Sequence, residues 1–285
     1  MSLYFFAWAA SILYGLEGIL TKITSRHFVK NPWLFIFIWL FFILVGTLPL
    51  ALYFGIGIPS HWLYIILASI AYTMAGIFFT LGLYQIDVSV MGPLGNFRTP
   101  IAVLAGAIFL GEILTFGQYL IIALIFTCGI FASLDENLHI KSFFSRGIGY
   151  TILGMIALLF LSIFIKKSVA LTSFWDTNLW MMLLGQIWLC ATIPLFKKEI
   201  KTLTGKQYGM MIAPAFVGIF GTLFANAAYA NNVSIATTII ALPVSMFFVF
   251  LASFYFPELI EKHTLKVYAV RFIAAAIMII AALNL

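Results

Sequence analysis

The chain is a succession of apolar runs, each about twenty residues long and each closed by a short polar, Gly or Pro separator. About 20 mostly apolar residues suffice to cross the hydrocarbon core as a helix. Read this way, the spans are 3–25, 32–54, 62–84, 88–110, 116–134, 147–165, 175–196, 208–230, 233–256 and 264–284. The separators are compact: NP at 31–32, GIGIPSH at 55–61, QIDV at 85–88 and GEILT at 111–115. The longest and most polar connection, DENLHIKSFFSR at 135–146, divides the chain into 1–138 and 146–285, with five spans in each. The expected fold is an all-α integral membrane protein of ten transmembrane helices.

Composition narrows the function. Only 8% of the 285 residues are charged and 64% are hydrophobic, whereas a soluble domain is typically about 25% charged. A soluble enzyme, a secreted disulfide scaffold and a disordered region are excluded on that ground. Ten spans consume roughly 200 positions and leave connections under about ten residues each, with no room for a soluble catalytic domain. The net charge of +6 reads as membrane-flanking anchors rather than a nucleic-acid surface. Cys128 and Cys190 sit in apolar runs without CxxC spacing. His27, His61, His139 and His263 all fall in connections, with no HExxH. No catalytic residue, metal or cofactor is therefore expected. The opening MSLYFFAWAAS lacks a basic n-region, and its apolar stretch runs past Glu17 to about Thr24, so it reads as a retained first span.

The halves resemble each other. The junction Tyr84-Gln-Ile-Asp-Val88-Ser89 has a counterpart in Tyr229-Ala-Asn-Asn-Val233-Ser234. Each then runs through an apolar span to a matching end, Phe109-Leu-Gly-Glu112 and Tyr255-Phe-Pro-Glu258. An odd number of crossings per half turns the second copy upside down relative to the first. Inverted repeats are a recurrent architecture of secondary transporters, with the substrate site near mid-membrane. Both copies also interrupt their fourth helix, the first at Gly92, Pro93, Gly95 and Pro100 and the second at Pro243. Proline removes a backbone donor and kinks a helix, and paired breaks point to a binding site.

In the run Trp8–Lys22, the Tyr84–Ser89 junction, the stretch Val88–Glu112 ending in FLGE, and Tyr229–Glu258, the chain resembles the ten-helix EamA-type branch of the drug/metabolite transporter superfamily. The second copy departs from the pattern in having Pro257 where a Gly is expected. The resemblance implies two inverted five-helix bundles around a central cavity, alternating access, and export or exchange of small metabolites or drugs, coupled to protons in some members.

Glu17 lies about two-thirds along the first span, with Ala10, Tyr14, Thr21 and Thr24 on its helix face. A carboxyl in such surroundings is costly and usually faces the protein interior. It reads as a coupling or substrate carboxyl, or as a structural counter-ion. Arg98, near the middle of the fourth span, stays charged. It either pairs with Glu17, at similar depth, or meets a carboxylate or phosphate of the substrate. Asn96 sits on the opposite face of that helix. Gln186, Thr222 and Asn226 lie deep in the second half, as interhelical hydrogen bonds or as substrate contacts. Tyr14, Tyr72, Tyr84 and Trp188 are candidates for an apolar lining. Gly15, Gly18, Gly218 and Gly221 permit close helix packing.

Leaving out Arg98 and Arg271, the odd-numbered connections carry eleven of the lysines and arginines, and the other side carries only Lys166 and Lys167. Positive charge stays cytoplasmic, which puts both termini outside, whereas the family resemblance puts them inside. The expected partners are a small-molecule or amphipathic substrate, protons and membrane lipids, with no nucleic acid, in a monomer or homodimer of the plasma (inner) membrane. The functions weighed are a secondary transporter, a flippase for lipids or lipid-linked sugars, and a non-transporting assembly subunit.

Overall fold

The computed structural model describes residues 2–86, 98–133, 146–244, 247–248, 250–251 and 265–284. Among these the protein is all-helical. The helices are α1 (Leu3–His27), α2 (Pro32–Tyr53), α3 (Leu63–Leu83), α4 (Arg98–Leu110), α5 (Phe116–Ser133), α6 (Arg146–Leu171), α7 (Phe174–Leu189), α8 (Gly205–Asn231), α9 (Val233–Ile240) and α10 (Leu265–Ala282). A 3-10 segment, Cys190–Leu195, prolongs α7, and a single turn, Lys197–Ile200, precedes α8. Six helical stretches among the described residues are long and apolar enough to cross a membrane: α1, α2, α3, α6, α8 and Phe174–Leu195. Shorter apolar stretches occur at Arg98–Leu110, Phe116–Gly129 and Phe272–Ala282.

Short connections are possible because the polar separators are helix caps. The first amides of a helix have no partner inside it, and a side-chain oxygen just upstream supplies one. Asn31 accepts from the amides of Trp33 and Leu34, with Pro32 at the first helical position. Ser173 accepts from Asp176, and Asn232 accepts from Ile235. Thr204 and Gln207 form a reciprocal capping box at α8. Asn232 lets α9 start one residue after α8 ends, so the chain reverses there with almost no loop.

The expected fourth-helix break in the second copy has a definite form. α9 ends at Ile240, Ala241 and Leu242 form a turn, and the buried Pro243 follows before helix resumes at Val244. In the first copy, Gly92, Pro93 and Gly95 lie outside the described residues, and Pro100 lies in the first turn of α4 as described.

Two helix pairs dominate the packing: α3 lies along α6, and α1 lies along α8. α3 also packs on α7, and α2 on α8. α5 packs on α10, α2 on α7, and α4 on α9. Small residues set the α1–α8 approach. A methyl group at Gly221 would sit 3.1 Å from the Tyr14 ring, and one at Gly218 would run into the Glu17 carboxylate. The face of α1 that carries Thr24 is committed to this packing, because Thr24 Oγ1 donates to the Met210 carbonyl at 2.8 Å.

Candidate functional site

A cavity of about 240 Å³ lies where α1, α2, α3, α4, α6, α8 and the α9 interruption converge. Its wall is largely aromatic and aliphatic, with Tyr14, Trp39, Tyr72, Phe79 and Tyr229 among the rings. The polar groups on it are few: Ser11, Glu17, Arg98, Thr151, Thr222 and Asn226.

Glu17 and Arg98 both reach this cavity and are both buried, 4% and 5% exposed. They form no ion pair with each other. Glu17 Oε1 accepts from the Trp39 indole N–H at 3.1 Å. Arg98 Nη2 donates to the Tyr229 hydroxyl at 3.0 Å, and the guanidinium lies 6.0 Å from the centre of that ring. They share one cavity wall but are not joined by a bond. Their bonds differ because each finds a neutral aromatic partner on a neighbouring helix: α2 for Glu17 and α8 for Arg98. Among the described residues each of these buried charges is met by a neutral group, and a buried charge without an opposite partner is costly.

Two further residues of this wall, Ser11 and Tyr72, carry buried hydroxyls with no hydrogen-bond partner among the described residues. A buried hydroxyl without a partner is costly. Tyr72 was legible in the sequence only as an aromatic. Trp39, the donor to Glu17 among the described residues, was missed, because it lies on another span in an unbroken apolar run.

The remaining candidates divide. Tyr14 lines the cavity. Asn226 lines it and also donates to Asn178 Oδ1 at 2.6 Å, which fixes its amide across α8 and α7. Gln186 is not in the cavity wall; its Nε2 donates to the Phe37 carbonyl at 3.3 Å, joining α7 to α2. Tyr84 donates to the Val29 carbonyl at 2.7 Å, and Trp188, half-exposed, donates to Ser69. Asn96 lies outside the described residues. Among the described residues no group of three His, Cys, Asp or Glu is gathered as a metal site would need.

Outside the cavity, Glu112 follows α4 and is buried at 8% exposure. It receives Lys166 Nζ at 2.7 Å, the amides of Val233 and Ser234 at 2.7 and 2.9 Å, and the Ser234 hydroxyl at 2.6 Å. Burial pushes this carboxyl up, but the Lys166 ammonium, the Ser234 hydroxyl and the two backbone amides outweigh it. They hold it below the usual carboxylate value.

Among the curated proteins none matches the chain in sequence. Solved structures do match its fold: 27 chains. One of them, described as "Crystal structure of protein", aligns with a TM-score of 0.73 over 99% of this chain and 96% of its own, at 14% identity. That likeness speaks for the fold alone. Residues 1–134 match the EamA-like transporter family. That match covers just under half of the chain and supports its resemblance to the EamA-type branch of the drug/metabolite transporter superfamily.

Proposed function

We propose that the protein is a secondary active transporter that exports a small organic metabolite by alternating access, between two inverted five-helix halves, 1–138 and 146–285. The observation that carries this reading is the cavity that both halves line, holding Glu17 and Arg98 unpaired with each other. Arg98 meets an anionic group of the substrate. Glu17, which among the described residues has only the Trp39 N–H against it, is satisfied by a proton or by a cationic group on the substrate, which makes it the coupling carboxyl.

The packing supports the inverted repeat. If each helix of the first half corresponds to the helix five places later, the α3–α6 pair becomes α8–α1, and these are the two most extensive pairs. The α2–α8 pair becomes α7–α3, again an observed pair. The pairs α5–α10, α2–α7 and α4–α9 each map onto themselves, as elements astride a two-fold axis do. The broken α9 then acts as a hinge at the cavity.

The size of the cavity favours a small metabolite over the amphipathic substrate of a flippase. Its volume of about 240 Å³ falls below the roughly 300–1,000 Å³ of drug-sized pockets. A panel of metabolites screened by thermal shift and then by uptake into proteoliposomes tests the reading. Glu17→Gln is expected to abolish transport driven by a pH gradient while counterflow exchange persists. Coupling undiminished in that variant overturns the role of Glu17. No ligand-dependent shift and no transport across the panel favours an assembly subunit instead.

A further inference from the structure

The Glu112 cluster lies away from the cavity wall, and the proposed transport leaves it unused. Its parts come from distant places. Gly111, at φ +63°, ends α4 in the left-handed conformation, which a residue with a side chain adopts only at a cost. The turn brings the Glu112 amide back to the Gly106 carbonyl at 3.1 Å. The carboxylate is thereby aimed at the start of α9, where the amides of Val233 and Ser234 are still free of intrahelical partners. Both carboxylate oxygens are used: Oε1 by Val233 N and Lys166, and Oε2 by Ser234 N and Oγ. Lys166, on α6, also donates to the Asn231 carbonyl at 3.0 Å, the last residue of α8. One carboxylate thus ties the end of α4, in the first half, to α6, α8 and α9 of the second.

The close approach depends on Gly106. A methyl group there would come within 2.6 Å of Glu112 Oε2 and would also collide with the Ser234 hydroxyl. The two motifs that recur in the sequence therefore meet in space. Glu112 ends the apolar run of the first copy, and Val233-Ser234 begins that of the second. Their counterparts Val88, Ser89 and Glu258 lie outside the described residues.

We propose that the Glu112–Lys166–Ser234 cluster is a releasable latch between the halves, closing the cavity toward the face where α6 and α8 end. The inference rests on the alternating-access reading above. Opening toward that face separates α4 from α9, and the latch is what holds them. A carboxylate meeting an ammonium and three neutral donors suits this task. It is directional, so it is lost once the helix ends part, and every group in it is hydrated when exposed at the membrane surface.

The test uses the full chain in oriented proteoliposomes, with Cys128→Ser and Cys190→Ser and one reporter, Ala75→Cys, in the cavity wall. A membrane-impermeant thiol reagent is applied to each face in turn. Glu112→Ala is expected to raise the labelling rate from the α6/α8-end face on the order of tenfold, the scale of a lost charge-assisted hydrogen bond, and to lower it from the opposite face. Gly106→Ala, which forces the latch apart without removing a polar group, is expected to shift both rates in the same directions. Lys166→Met serves if Glu112→Ala does not fold. Rates unchanged from both faces, or raised equally from both, overturn the latch, the second outcome marking a mere structural staple. Labelling does not require transport. Wild-type protein that fails to transport while Glu112→Ala still shifts its labelling therefore overturns the transporter reading and leaves the latch standing.

Discussion

At the scale of single residues, positions that correspond in the proposed repeat do different jobs. Tyr84 and Tyr229 open the same repeated motif, yet Tyr84 donates to the Val29 carbonyl while Tyr229 receives Arg98. Removing the hydroxyl should separate these roles. Tyr84→Phe is expected to cost about 1 kcal/mol of stability and to leave substrate affinity unchanged. Tyr229→Phe frees one N–H of Arg98 and is expected to change the apparent KM severalfold with a smaller change in melting temperature. Equal effects on KM would show that Tyr229 is only structural. Glu112 carries a pH signature of its own. Its carboxyl is held below the usual value in the folded protein, so its contribution is complete above the ordinary carboxylate range, about 4.3, and is lost as pH falls through the lower, folded value. The melting temperature of the wild type should exceed that of Glu112→Gln by most near neutrality, and the gap should close in acid. A gap independent of pH would mean that the carboxylate charge contributes nothing there.

At the scale of elements, much was legible. The expected span 32–54 is α2 at Pro32–Tyr53, and 62–84 contains α3 at Leu63–Leu83, because runs of apolar residues ended by Asn-Pro or Gly leave few alternatives. Pro243 marked the interruption after α9. What a span touches was less legible. Thr24 shares a helix face with Glu17, yet it bonds to α8 while Glu17 turns to the cavity. In lipid, a buried helix face and a lipid-facing one are equally apolar, so periodicity carries little information about neighbours. The latch was hidden for another reason, since Glu112 and Ser234 are 122 positions apart. The α1–α8 crossing permits a direct probe of the cavity carboxyl. Gly218→Ala pushes a methyl group against the Glu17 carboxylate, which must leave the Trp39 N–H. Transport is expected to fall at least about tenfold, the cost of one displaced hydrogen bond to a charged group, while helix content is retained. Full activity in that variant would show that the Glu17–Trp39 bond is dispensable.

At the scale of the whole molecule, the ties between helix ends fall into two groups, and the grouping bears on orientation. The ends of α4, α6 and α8 meet the start of α9 around Glu112, and the start of α7 joins the α2–α3 connection on the same parity, with Asp176 accepting from Gly57 N at 2.7 Å. The ends of α1 and α7 meet the starts of α2 and α8 through Phe28, Asn31, Leu195 and Gln207. On the proposed ten-span arrangement, alternate crossing puts these groups on opposite faces. The second group lies on the face that carries Lys197, Lys198, Lys201 and Lys206, and the latch face carries only Lys166 and Lys167. If the positive side is cytoplasmic, the latch closes the outer face. A C-terminal alkaline phosphatase fusion is then expected to be active and a C-terminal green fluorescent fusion dark. Bright cytoplasmic fluorescence without phosphatase activity would reverse the orientation. The latch would then close the cytoplasmic face, and export would begin, rather than end, with its release.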